Sequence, residues 1–268
     1  MSRSSGALHP AFTSHILADL SKPGDISAII ASARPAVVIN AAAMADHERC
    51  EHSPDEAFLI NANAPAEMAQ ACSQYGSSFV HISTDAVFDG ASGSYGEGDD
   101  PRPFSTYGRS KAEGERLVLD ANPEAVILRT NFFGWSPTGS RSILEFFVSN
   151  LVKGSAVPGF TDFVVSTGFV LDIVETIIDL VVLDPQGCIH ATSSDSMSKY
   201  AFGCLAAEVF DLNAELIVPT GATMGGYGNR GQRDLSLSNA YVEGLLGRRM
   251  PTQREGLEKA RAERRQSE

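Results

Sequence analysis

Between residues 36 and 133, short apolar runs alternate with segments of helical period, and this alternation restricts the possible folds more than any other feature. AVVINAA (36–42), SSFVHIST (77–84) and EAVILRTNFF (124–133) read as buried strands. PDEAFLINANAPAEMAQACSQYG (54–76) reads as a helix ending at Gly76, and STYGRSKAEGERLVLDA (105–121) as a second helix. Apolar strands separated by helices require right-handed crossovers and cover on both faces of a parallel sheet. The expected fold class is therefore α/β, a Rossmann-like doubly wound parallel sheet.

Beyond residue 134 the pattern loosens. SILEFFVSNLVKG (142–154) and DIVETIIDLVVL (172–183) are amphipathic helices, GCIHAT (187–192) a short strand, and SKYAFGCLAAEVFD (198–211) a helix with Ser198 as N-cap. PTGATMGGYGNRGQRD (219–234) reads as a loop, and EGLEKARAERRQSE (255–268) as a charged helix. The expected division is an incomplete Rossmann-like region at 1–158 and, mainly, a small separate lobe at 159–268, with a helix at 169–183 packing back on the sheet.

Net charge excludes some partners. At −12, the chain lacks the basic surface that nucleic acid or an anionic membrane demands. The longest apolar helix is interrupted by Asp and Glu, and the first residues lack a secretory core, so a cytoplasmic protein is expected. Cys50, Cys72, Cys188 and Cys204 show no metal spacing and read as buried thiols. HERCEH (47–52) offers His47, Cys50 and His52 at a spacing that fits no common zinc pattern, so no metal is expected.

In a doubly wound sheet, ligands lie outside the carboxyl ends of the strands. NAAA (40–43), STD (83–85) and RTNFFG (129–134) fall there, and Tyr107 precedes Lys111 by four positions at the start of the intervening helix. Residues four apart share a helix face. A nearby ammonium lowers a phenol's pKa and makes it a usable proton donor. Thr84 can hydrogen-bond the same carbonyl oxygen.

VINAAA (38–43), HISTDAVFDG (81–90), YGRSKAEGE (107–115) and ILRTNFFGW (127–135) together resemble the extended short-chain dehydrogenase/reductase superfamily. Within it they resemble the dTDP-4-dehydrorhamnose reductase (sugar-nucleotide reductase) family, from about residue 18 to residue 257. The resemblance implies reduction of a nucleotide-linked 4-keto sugar by NADPH or NADH. It makes Thr84, Tyr107 and Lys111 catalytic: Tyr107 the general acid, Lys111 its cation and a ribose contact, and Thr84 the residue that orients the keto group. It further implies that Asn40, Ala41, Ala42, Ser83, Thr130, Asn131 and Phe132 line the cofactor, together with Tyr107 and Lys111. Asp85, Phe132 and Arg230 or Arg233 would face the sugar nucleotide, Phe132 standing where many relatives have Trp. Among partners, a homodimer is left open.

The chain departs from the family pattern at its start. No G-x-x-G-x-x-G turn is present, and the resemblance begins at the third strand, as if a first βαβ unit of roughly 30–40 residues were missing. DGASGSYGEGDD (89–100) is followed by acids and Pro and is no substitute. In GNRGQR (228–233), Gly231 replaces the Pro that relatives have after Arg. Two other readings follow: a catalytically silent member serving as a regulatory subunit, and a nucleotide-sugar epimerase or dehydratase on the same cofactor.

Overall fold

The apolar runs become strands, and the helical segments between them become helices. In chain order the elements to residue 133 are α1 (Asp25–Ala33), β1 (Val37–Asn40), α2 (His47–His52), α3 (Pro54–Phe58), α4 (Ala64–Tyr75), β2 (Ser78–Thr84), α5 (Thr106–Ala121), β3 (Val126–Thr130) and β4 (Phe132–Phe133). There follow α6 (Ile143–Val152), β5 (Val157–Phe160), β6 (Phe163–Val165), β7 (Gly168–Phe169), α7 (Val170–Leu183), β8 (Gly187–His190), β9 (Met197–Ser198), α8 (Lys199–Val209), β10 (Ile217–Thr220), β11 (Arg233–Asp234), α9 (Ala240–Leu246) and α10 (Gln253–Ser267). They belong to a computed structural model that describes residues 14–137, 139, 142–222 and 233–267. The chain divides into two compact units. One comprises the chain up to Ser83 with Pro103–Ile127 and Asp184–Gly187; the other comprises Thr84–Arg102, Leu128–Leu183 and the chain from Cys188.

The main sheet has four strands in the order β1-β2-β3-β8. β1 pairs with β2 in parallel, from Val37 opposite Ser78 to Asn40 opposite His81. The Gly187 amide donates to the Ala125 carbonyl and the Ala191 amide to the Arg129 carbonyl, both at 3.0 Å, so β3 and β8 also ascend together. This is the expected α/β, Rossmann-like arrangement. Among the described residues β1 has a strand on one side only, and Ile39 on it is 48% exposed.

In the first unit, the segment expected as one helix at 54–76 is broken by a π-helical turn, Leu59–Asn63. Pro65 has no N–H to offer the Asn61 carbonyl, so the α-helical ladder fails there. The fully buried Asn61 side chain accepts the Met44 N–H at 2.8 Å and donates to the Met44 carbonyl at 3.0 Å and to Ser110 Oγ at 2.9 Å. It thereby ties the segment after β1 to α5. Residue 114 on α5 is Gly because a Cβ there would overlap the Asn61 carbonyl oxygen. At the start of α5, Ser105 caps the helix by accepting the Gly108 N–H at 3.0 Å, and Thr106 donates its N–H and hydroxyl to Glu51 at 2.8 and 2.6 Å.

In the second unit, Phe133, Phe147, Phe169, Phe202 and Leu257 form a core between α6, α8 and α10. The strand expected at 124–133 stops at Thr130. The Asn131 carbonyl accepts the Gly168 N–H at 2.9 Å, and β4 turns aside to pair with β7. Ser198 caps α8 as expected, accepting the Ala201 N–H at 3.1 Å. Cys50 and Cys72 are buried, whereas Cys188 and Cys204 are partly exposed, contrary to expectation. Among the described residues no helix is long and apolar enough to cross a membrane.

Gly114→Ala tests the contact between α5 and the π turn. Overpacking of this kind costs about 1–3 kcal/mol, so the variant should unfold at lower urea concentration with the same m-value. An unchanged midpoint would show that the two segments separate freely.

Candidate active site

In the first unit, Tyr107 and Lys111 occupy successive turns of α5, and their surroundings differ. Tyr107 is partly exposed; its ring packs against the cluster of Met44, Cys50, Ala57 and Ile60 and meets the His47 ring at a tilt of 51°, 4.6 Å between centroids. Lys111 is 1% exposed. Its Nζ donates to the Ile82 carbonyl at 2.7 Å and lies 3.0 Å from His81 Nε2. Burial pulls the Lys111 ammonium down from 10.5 to about 8, against the Glu115 charge one turn later. Burial, and then Lys111, hold fully buried His81 well below 6.5. Lys111 is therefore an amine built into the sheet rather than a lysine on a solvated helix face.

The other first-unit residues complete this polar layer. Asn40, at the end of β1, donates from Nδ2 to His81 Nδ1 at 3.0 Å and accepts the Ala42 N–H at 3.1 Å. Ser83 donates to Glu115 at 2.5 Å. Ala41 is exposed and Ala42 partly so. His81 and Glu115 were not singled out in the sequence. The available signal was a histidine at a buried position of an apolar strand, where an imidazole requires partners.

At the start of α1, the helix end that could attract a phosphate is already taken. Glu67 accepts the Gly24 and Ser27 amides at 2.9 and 3.2 Å, and Asp25 adds a further negative charge in the first turn. Among the described residues no cluster of ligands could hold a metal ion. His52 Nδ1 is engaged with the Glu48 carbonyl at 2.7 Å.

The second unit carries Thr84, Asp85, Thr130, Asn131, Phe132 and Arg233. Thr84 donates its hydroxyl to Asp85 Oδ1 at 3.0 Å and accepts the Ala86 N–H at 3.1 Å. Asn131 donates to Asp85 Oδ2 at 2.6 Å. Burial pushes the Asp85 carboxyl up, and the Asn131 and Thr84 hydrogen bonds oppose this. The Thr130 hydroxyl is buried and makes no hydrogen bond, and Phe132 is 49% exposed on β4. Arg233 donates to the Asp89 carbonyl, which anchors the 89–100 loop. Arg230 lies outside the described residues.

A family profile described as RmlD substrate binding domain matches residues 3–265. A probable low-salt glycan biosynthesis reductase of Haloferax volcanii is 37% identical over 81% of this chain and 73% of its own length. Methionine adenosyltransferase 2 subunit beta of Danio rerio is 29% identical over 83% of this chain and 70% of its own. The solved dTDP-4-dehydrorhamnose reductase of Bacillus anthracis, in complex with NADP, has a TM-score of 0.82 at 25% identity, covering 91% of this chain and 86% of that one.

Because the folded Lys111 value, about 8, lies below the unfolded 10.5, the unfolded chain binds more protons between them, and stability attributable to Lys111 rises with pH across that window. Relative to Lys111→Met, the wild type should gain up to roughly 3 kcal/mol between these limits. Denaturant unfolding of both proteins at stepped pH measures the difference. A pH-independent difference would mean that the amine stays solvated.

Proposed function

The chain belongs to the RmlD substrate binding domain family, and we propose that within it the chain acts as a nicotinamide-dependent reductase of a nucleotide-linked 4-keto sugar. The observation that carries this reading is the buried Lys111 amine, bonded to β2 one helical turn after the partly exposed Tyr107. A surface helix has no use for a buried lysine, whereas a phenol that must give up a proton does.

NADPH or NADH supplies the hydride when bound. Ala41, exposed at the end of β1, is open to the nicotinamide end of such a cofactor, and Lys111 is assigned to its ribose. Thr130, Asn131 and Phe132 are assigned to the same group. The occupied start of α1 offers nothing to a pyrophosphate.

Tyr107 gives its phenolic proton to the sugar oxygen as negative charge develops there: its O–H bond breaks, a new O–H forms on the product, and a phenolate remains. Packing on His47 fixes the plane of the ring. Lys111 favours the phenolate. Thr84 orients the keto group, and for this its hydroxyl hydrogen must turn from Asp85. Asp85, Phe132 and Arg230 or Arg233 are assigned to the sugar nucleotide. Residues 159–268 are assigned to its binding lobe, and the cytoplasm, where soluble nucleotide sugars are found, is the proposed location.

A binding or regulatory subunit is the second reading, favoured by the likeness to the Danio rerio methionine adenosyltransferase subunit.

Turnover of dTDP-4-dehydrorhamnose with NADPH or NADH, followed in wild type and Tyr107→Phe, tests the proposal. Loss of a positioned general acid lowers the rate by about 10²–10⁴, with folding unchanged. Equal turnover in the two proteins would remove Tyr107 from the mechanism, and no turnover in either would favour the subunit reading.

A further inference from the structure

The hydrogen bonds around Lys111 fix where its protons are. Asn40 Oδ1 accepts the Ala42 N–H at 3.1 Å, so Nδ2 is the group facing His81 Nδ1 at 3.0 Å. A donor at that point makes Nδ1 the unprotonated nitrogen of a neutral imidazole. The single ring proton is then on Nε2, 3.0 Å from Lys111 Nζ. Two N–H groups cannot share that contact, so Lys111 presents a lone pair to His81 while donating to the Ile82 carbonyl at 2.7 Å. Rotating the Asn40 amide would set an NH₂ group against the Ala42 N–H, and flipping the imidazole would turn carbon atoms toward both of its partners. One proton arrangement satisfies all of these contacts together, and in it Lys111 is a neutral amine.

Resting on the reading of Lys111 as the partner of Tyr107, we propose that Asn40, His81 and Lys111 form a tautomer-coupled switch, in which the charge on Lys111 and the orientation of the Asn40 amide change together. When Lys111 becomes an ammonium, the His81 Nε2–H bond breaks as the new Nζ–H bond forms, and the incoming proton bonds to Nδ1. The imidazole stays neutral throughout and the group gains one proton. Nδ1–H then requires an acceptor, so Asn40 turns Oδ1 toward it and releases the Ala42 amide. His81 is thus a positioning residue that acts through Lys111, and it links the proton state of the acid–base pair to the Asn40–Ala42 segment.

Burial supports the coupling, since it brings Lys111 down to about 8 while holding His81 well below 6.5. The other titratable groups facing this layer are Tyr107 and Glu115 on α5 and, beyond Tyr107, His47, Cys50 and Glu51 on α2; β1 brings none. Cys50, pushed up to about 11 by burial, titrates above the window.

Long-range ¹H–¹⁵N correlation spectra of the ¹⁵N-histidine-labelled chain read the tautomer directly, without turnover. His81 is assigned by loss of its signals in His81→Gln or, where that variant does not fold, by their displacement in Lys111→Met. At about pH 9.5, above the Lys111 midpoint and within the range of histidine neutrality, His81 should be the Nε2–H tautomer. At about pH 6.5 it should be the Nδ1–H tautomer, with the Ala42 amide shifting at the same midpoint. In Asn40→Asp the side chain can only accept, so His81 should be Nδ1–H at both values. A wild-type His81 with the same tautomer at both pH values, or a tautomer indifferent to Asn40→Asp, would overturn the switch. Either result leaves the reductase reading intact, and failure of turnover alone would leave the switch intact.

Discussion

An amine buried to the degree of Lys111 must be met by partners in either charge state, because an unpaired polar group out of water is costly and an unpaired cation costs several kcal/mol. Here the partners are a strand carbonyl, Ile82, and an imidazole, His81, which is in turn held by Asn40. Much of the first unit is arranged so that α5 can deliver Lys111 to them. Gly114 lets the helix approach the π turn closely, Asn61 fastens the segment after β1 to Ser110, and Ser105 and Glu51 fix where the helix begins. Tyr107 is thereby set one turn from the amine. A phenol and a lysine at this spacing are common on helices, and what separates this pair from that background is the burial of one member.

The fold was legible because strands with polar ends alternate with helices, and this pattern survives in a single sequence. The start of α8 followed from Ser198, which caps it; Ser105 and Ser142 cap α5 and α6 in the same way. Two interruptions were not legible. The π turn depends on Pro65 acting together with Asn61, whose side chain is needed elsewhere, and no periodicity records that. The break at Asn131 depends on Gly168, distant in sequence. At the candidate site, Tyr107 and Lys111 could be named from spacing, but not the opposite fates of their side chains. His81 was missed because an apolar strand tolerates a polar residue for structural reasons more often than for chemical ones.

The charge on this chain also shapes what it can hold. With a net charge of −12, anion binding must come from local donors rather than a general field. The start of α1 would be such a donor, yet Glu67 already satisfies it. In the second unit, Asp85 is buried among donors from Thr84 and Asn131, so the strand end there presents a carboxyl group braced by amide and hydroxyl. Both units therefore bring polar groups to strand ends, the location where doubly wound sheets hold their ligands.

In the proposed reaction, hydride goes to the carbonyl carbon of a nucleotide-linked keto sugar while Tyr107 supplies the proton. The most direct measurement is incubation of the chain with dTDP-4-dehydrorhamnose and NADPH or NADH deuterated at the transferable C4 position, followed by mass spectrometry and NMR of the recovered sugar nucleotide. One deuterium is expected at sugar C4, which becomes the new alcohol carbon, with the hydroxyl hydrogen drawn from solvent. Recovery of the keto sugar unlabelled and unreduced, with the chain folded and both reactants saturating, would contradict it.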